Sequence, residues 1–352
     1  MPFQIIRNDI TKVKADAIVN TANPCPVYAS GTDAAIYEAA GADRLLAERK
    51  KIGDIRPGEA AVTPAFDLDA QYIIHTVGPS WIDGYHEERE TLHSCYARSL
   101  QMAADLNCES IAFPLIATGV YGFPKDEALQ IALAEINRFL LSHDMLVILV
   151  VFDRKAFELS GKLVGDIKEY IDENEVSEIR LAEFGIFSRY ERGRRGDRRA
   201  SKEEETALRG CNEKSALSQE TMSVLPDVSG KSLDEVLGNT GVTFQQRLFQ
   251  LIDERGLDDV TVYKKANIDR KVFSKIRCKE DYKPKKKTAV AFAIALELDM
   301  PTMLDLLSRA EIAFSPSNKF DLIITYFITN KVYDIFEINA ALFKYGQSIL
   351  GE

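Results

Sequence analysis

The first 175 residues alternate short apolar runs with segments of helical period, and this alternation limits the fold more than any other feature of the chain. The spacing predicts strands at Phe3–Arg7, Ala17–Asn20, Glu59–Pro64, Tyr72–Val77, Ser110–Phe113 and Met145–Phe152. It predicts helices at Asp33–Ala40, Leu45–Ile52, Glu88–Leu106, Lys125–Ser142 and Ala156–Asn174. Strands that alternate with helices build a mixed, mostly parallel sheet covered on both faces, a three-layer α/β/α architecture. Ligands of such sheets lie beyond the carboxyl ends of the strands. Two loops follow strands directly, Asn20–Asp33 and Ala117–Gly122, and both belong to that end.

The alternation stops near Val176. Residues 176–242 include "SRYERGRRGDRRASKEEETALRG", which has no apolar period and reads as a polar, charge-rich, disordered linker. From Thr243 the pattern is helical throughout. Phe244, Leu248, Leu251 and Ile252 share one face of a helix that ends at Gly256. The expected division is therefore an α/β part over 1–175, a linker over 176–242 and a separate all-α domain over 243–352.

Charge follows the same division. Residues 1–175 carry 16 Lys and Arg against 27 Asp and Glu, a balance of −11, within a chain of net charge −10. Residues 264–287 carry 11 basic side chains against 3 acidic ones. The front is acidic and the back holds a basic stripe, so the average charge says little about partners. The five cysteines are scattered with no CxxC pair, which argues against both a disulfide framework and a structural zinc site. The opening "MPFQIIRNDITKVKAD" lacks a long apolar core, and the longest apolar run, Met145–Phe152, is too short to span a bilayer. The expectation is a cytoplasmic protein with no membrane partner and no cofactor.

The chemistry sits in the two loops. "IVNTANPCPVYASGTDAAIYEAAG" ends a strand in two carboxamides, Asn20 and Asn23, and enters a helix at Asp33. Asparagines offer donor and acceptor to sugar hydroxyls without setting a charge against a pyrophosphate. A helix start with free N–H groups attracts phosphate. Asp33 also fits a plain helix cap, Asn20 also fits a group that satisfies backbone beneath the loop, and His75 fits a core or supporting residue. In "PLIATGVYGFPKDEA", Gly119 and Gly122 flank Val120 and Tyr121, a segment whose backbone N–H groups can cradle phosphate.

In order, "NDIT" at 8–11, "IVNTAN" with Asp33 ten residues after Asn23, "AAG" at 39–41, "IIHTVGP" at 73–79, "IAFPLIATGVYGFP" at 111–124 and "VVFD" at 150–153 resemble the macrodomain family. The nearest branch is that of the bacterial and mitochondrial-type hydrolases, which remove ADP-ribose from acidic side chains and deacetylate O-acetyl-ADP-ribose. The resemblance implies that Asp9 and Ile10 meet the adenine and that Phe152 stacks on it. It implies that Thr118, Gly119, Val120, Tyr121 and Gly122 hold the pyrophosphate, and that Ser30 and Gly31 close over the phosphates. Asn20 and Asn23 would fix the distal ribose, and Asp33 would be the catalytic carboxylate. Such a carboxylate acts as a general base on a water near the anomeric carbon. Two departures stand out. Ser30 and the stiff "PCPVYA" loop replace the usual glycines, and Tyr37 replaces a histidine four residues after the aspartate. The alternative is a reader that binds ADP-ribose without turnover.

Residues 244–310 resemble a phage-repressor-type helix-turn-helix domain of five short helices, with "VYKKANIDRKVFSKIR" as the helix pair. That resemblance implies DNA contact through Arg270, Lys271, Ser274, Lys275 and Arg277, and hence an ADP-ribose-responsive DNA-binding regulator as a further reading. A helical protein-binding module with a solvated lysine loop fits the same residues. The partners expected are ADP-ribose or an ADP-ribosylated protein, with DNA at the helical half.

Overall fold

The computed structural model describes residues 2–28, 30–152, 241–279 and 281–351. The predicted helix Ala156–Asn174 and nearly all of the predicted linker lie outside the described residues.

Six strands form one sheet: β1 (Phe3–Arg7), β2 (Ala17–Thr21), β3 (Ala60–Pro64), β4 (Tyr72–Thr76), β5 (Ser110–Pro114) and β6 (Leu146–Val151). Their order is β1-β6-β5-β2-β4-β3. Every pair is parallel except β3 with β4 at one edge. The central strands read as continuous apolar runs because both faces are covered; five of the six residues of β6, "LVILVV", are buried. Helices α1 (Thr32–Ala40), α2 (Ala42–Ile52), α3 (Glu88–Asp105) and α4 (Lys125–Ser142) supply the cover. Ile36, Tyr37, Ala40 and Leu45 pack with Ile18, Ile73 and Ile148 on one face. The mixed sheet and the predicted elements up to residue 152 agree to within a few residues at each end.

Among the described residues seven helices follow: α5 (Phe244–Glu254), α6 (Asp259–Lys265), α7 (Arg270–Cys278), α8 (Lys286–Ala295), α9 (Met300–Ser308), α10 (Lys319–Thr329) and α11 (Ile335–Lys344). Their starts are chemically marked. Thr243 makes a capping box with Gln246, and Asp258, Asp299, Asn318 and Asp334 cap α6, α9, α10 and α11. The chain divides into two compact units. The first joins residues 1–165 with 257–273 and 334–352, and the second joins 166–256 with 274–333. The helical half therefore does not stand whole as a separate body. Five helices do occupy 244–310, but the division falls inside α7.

In the first unit the helical residues attach to the exposed edge of the sheet. Asn267 is fully buried; its Oδ1 accepts from Phe3 N–H at 2.9 Å and its Nδ2 donates to the Phe3 carbonyl at 3.1 Å. The Phe3 and Phe336 rings meet at 4.8 Å. In the second unit α8 is buried along nearly its whole length, and the buried Asp321 carboxylate accepts from Lys286 Nζ at 2.7 Å.

Candidate functional site

The loops after β2, β4 and β5 converge at the carboxyl end of the sheet. A cavity of about 340 Å³ opens there, lined by Thr21, Asn23, Ser30, Gly31, Thr32, Asp33, Leu115, Ala117, Thr118, Gly119, Val120, Tyr121 and Lys125. Asp33 stands in the first turn of α1, whose N-cap is Gly31 with no side-chain cap bond. Gly31 has φ +71°, a conformation that suits glycine, and lets the loop turn into the helix directly above the carboxylate. The helix dipole favours an anion in that turn.

Asp33 is buried to 4% exposure, yet the chain meets the cost of burying it with two amides. Asn20 Nδ2 donates to Asp33 Oδ1 at 2.7 Å, and Asn23 Nδ2 donates to Oδ2 at 3.3 Å. Asn20 is completely buried and does not line the cavity; it works from beneath. Its Nδ2 also faces His75 Nδ1 at 3.2 Å, and His75 Nε2 lies 2.9 Å from Thr63 Oγ. Nδ1 must be bare to face an amide N–H, so the ring proton is on Nε2 and is donated to Thr63. Burial, with Arg49 nearby, holds the His75 pKa down at about 3, so the ring is neutral at physiological pH. Tyr37 is buried beside it, with its pKa pushed up to about 12 by burial and then by Asp33. Tyr28 stacks on Tyr37 at 4.7 Å and stiffens the loop between Asn23 and Ser30.

Across the cavity, Gly119–Gly122 closes as a turn, with Gly122 N–H donating to the Gly119 carbonyl at 3.0 Å and Gly122 at φ +68°. Its outer side is fixed by Trp81 N–H, which donates to the Tyr121 carbonyl at 2.8 Å. Trp81 belongs to the loop after β4, which is held by Glu88. Burial would raise the pKa of that carboxyl, but it accepts from the backbone N–H groups of Ile82, Asp83, Gly84 and His86, which bring it down to about 2. The carboxylate caps a loop, and this accounts for the clustering of Asp83, His86 and Glu88 without a metal ion.

The ends of β1 and β6 add a second cluster at the same end of the sheet, β1 three strand spacings or roughly 14 Å from β2 and β6 two spacings or roughly 10 Å. Asp9 caps the short turn Ile10–Lys12, accepting from Thr11 N–H at 3.0 Å and Thr11 Oγ at 2.8 Å, and those bonds hold its pKa down. Ile10 is buried in the core, and Phe152 is 78% exposed just past β6.

The family model described as Macro domain matches residues 19–132. The O-acetyl-ADP-ribose deacetylase of Klebsiella pneumoniae is 44% identical over 167 residues, which cover 46% of this chain and 95% of that protein. The chain belongs to the Macro domain family. A Macro domain-containing protein of Listeria monocytogenes is 43% identical over 171 residues, 47% of this chain and 97% of its own. Among solved structures, the Oceanobacillus iheyensis macrodomain with ADP is 38% identical with a TM-score of 0.42, covering 43% of this chain and 84% of its own.

Of the residues predicted for the Macro domain site, Asn23, Ser30, Gly31, Asp33, Thr118, Gly119, Val120 and Tyr121 line one cavity. Asn20 supports it from below and Gly122 closes its turn. Asp9, Ile10 and Phe152 lie at the β1 and β6 ends, outside the lining. Sequence reasoning missed Thr21, Thr32, Leu115, Ala117 and Lys125, and it missed the support given by Thr63 and Arg49. Arg49 sits four residues after the buried Leu45 on α2, so it shares a core-facing stripe, and that spacing was the available signal.

The basic residues of the helical half have protein neighbours. Arg270 and Lys271 line a crevice with His143 and Asp144, and Lys264 Nζ lies 3.3 Å from Asp144 and from the Leu141 carbonyl. Arg277 lies over the Phe249 ring at 4.7 Å. Ser274 and Lys275 are exposed. No nucleic-acid interface is assigned to them. No helix among the described residues is long and apolar enough to cross a membrane.

Proposed function

We propose that this Macro domain hydrolyses acyl esters of ADP-ribose, deacetylating O-acetyl-ADP-ribose and releasing ADP-ribose from acidic side chains of modified proteins. The observation that carries this reading is the Asp33 carboxylate, nearly buried, held on both oxygens by Asn20 and Asn23, and facing the Gly119–Gly122 turn across one cavity. The 44% identity to a protein named O-acetyl-ADP-ribose deacetylase supports it.

Asn23 and the start of α1 receive the distal ribose, and the backbone N–H groups of residues 119–122 receive the diphosphate. Asp9 and Phe152 meet the adenine at the far end, which the three-strand spacing between β1 and β2 allows. The carboxylate then takes a proton from a water molecule, whose oxygen attacks at the ester. The ester C–O bond breaks, the proton passes to the departing oxygen, and a carboxylic acid and ADP-ribose leave. Two amide donors aim the Asp33 carboxylate.

The test is release of ADP-ribose from O-acetyl-ADP-ribose and from an ester-linked protein, with binding followed by calorimetry. Asp33→Ala is expected to lower kcat by roughly 100-fold or more while ADP-ribose still binds. Equal turnover by wild type and Asp33→Ala would remove Asp33 from the chemistry. The Tyr28–Tyr37 stack favours one competing reading, a stiffened pocket that binds without turnover. Binding by wild type with no release of product would establish that reading instead.

A further inference from the structure

Arg49 lies on α2, outside both loops that form the cavity, and the hydrolysis just described does not call on it. Its side chain is 1% exposed, although a guanidinium is among the costliest groups to bury. It is spent on backbone. Nη2 donates to the carbonyl oxygens of Asn23 at 3.3 Å and Pro24 at 3.1 Å, and Nη1 donates to the Gly53 carbonyl. Asn23 in turn donates to Asp33 Oδ2 at 3.3 Å and to the Val27 carbonyl at 3.1 Å. A single planar fork therefore fixes the main chain at the point where it presents the Asn23 amide. A lysine has no such fork.

The same group is a fixed charge. Burial draws the Arg49 pKa down from its ordinary value, while Tyr37, Asp54, Asp33 and Cys25 each draw it up. An arginine keeps its proton in a protein. The titratable groups that share the neighbourhood are Tyr37 on α1, His75 on β4, Cys25 in the loop, Asp54 after α2, and Tyr121 and Lys125 across the cavity. Tyr37, raised to about 12, and His75, lowered to about 3, stay neutral between pH 5 and pH 9, as does Tyr121, whose pKa is raised by burial and then by Asp33.

We propose that Arg49 is a positioning residue for Asp33: its buried guanidinium fixes the Asn23–Pro24 backbone, and with it the amide that aims the carboxylate. This rests on the ester-hydrolase reading above.

Full-length wild type, Arg49→Lys and Arg49→Gln are compared for kcat and KM on O-acetyl-ADP-ribose across pH, with melting curves to establish folding. Arg49→Lys keeps the charge and loses the fork. Its kcat is expected to fall by about tenfold or more, as a misplaced catalytic group would cause, with kcat falling further than KM rises. Arg49→Gln loses the charge as well, and its kcat is expected to fall at least as far. A residue that merely stabilised the fold would lower the melting temperature and leave the kcat of the folded enzyme in place. A folded Arg49→Lys or Arg49→Gln with wild-type kcat overturns the proposal. If Arg49→Gln does not fold, the kcat of Arg49→Lys decides alone. A wild type that releases no product sinks the hydrolase reading and this one with it, whereas an active wild type matched by Arg49→Lys sinks only the role of Arg49.

Discussion

Thr63, His75, Asn20 and Asp33 form one line of buried polar side chains that runs from the sheet edge to the cavity. Each member fixes the next, so the orientation of the carboxylate depends on a histidine that never meets solvent. That histidine also makes stability depend on pH. Its folded pKa of about 3 lies below its unfolded value of roughly 6.5. Above the unfolded value both states are neutral at this ring and stability is unaffected. As pH falls from there towards about 3, the unfolded chain takes up a proton that the folded chain refuses. Stability is lost by at most roughly 1.4 kcal/mol per pH unit from this one group. Urea midpoints at pH 7 and pH 5 should therefore differ more in wild type than in His75→Gln. Parallel losses in the two proteins would show that another group is responsible. On the activity side, His75→Gln frees the Asn20 amide to turn away from Asp33, so kcat should fall with little change in ADP-ribose affinity.

At the scale of elements, the same side-chain chemistry closes the edge of the sheet. Among the described residues β1 pairs only with β6, and an unpaired edge invites other strands. Asn267 meets the outward N–H and carbonyl of Phe3 as a further strand would, and Asn339 does the same for Leu350, accepting from its N–H at 2.7 Å and donating to its carbonyl at 3.3 Å. Asn267→Ala would leave two buried backbone groups unpaired. The expected cost is about 2 kcal/mol or more by chemical denaturation, and a change within error would show that the edge finds other partners. Gly351 is tied to the same place. It has φ +94°, and a Cβ there would stand 2.3 Å from the Asn267 carbonyl oxygen. Gly351→Ala should thus lower the melting temperature, although the residue is one from the end of the chain.

At the scale of the molecule, the first compact unit needs residues far apart in sequence. Ile335, Phe336, Ile338, Ala341 and Leu342 of α11 are buried, and α11 packs on β1 and α4. A chain ending at Tyr333 should melt at lower temperature than the full chain and expose β1, with association visible in light scattering. An unchanged melting curve would make α11 dispensable. The acidic balance of residues 1–175 belongs to this scale as well. The anionic ligand proposed above would enter a half with surplus negative charge, so its affinity would have to come from N–H groups and amides set in place by the fold.

By itself the sequence determined the elements and the contents of the two loops, because apolar period, turn residues and caps act over a few neighbouring positions. Asn23 and Asp33, ten residues apart, could be paired on paper since one loop and one helix turn separate them. What only the tertiary structure decided was which distant groups stand beneath those loops. Arg49, in the run "AERKK", offers only its four-residue spacing from Leu45, and Asn267 lies between two helices. Their partners, the Asn23 and Pro24 carbonyls and the Phe3 backbone, carry no side-chain signature, since every residue has the same amide. Such bonds form only when packing brings a particular stretch of main chain within hydrogen-bond distance of a buried donor or acceptor, and that distance is a property of the whole fold.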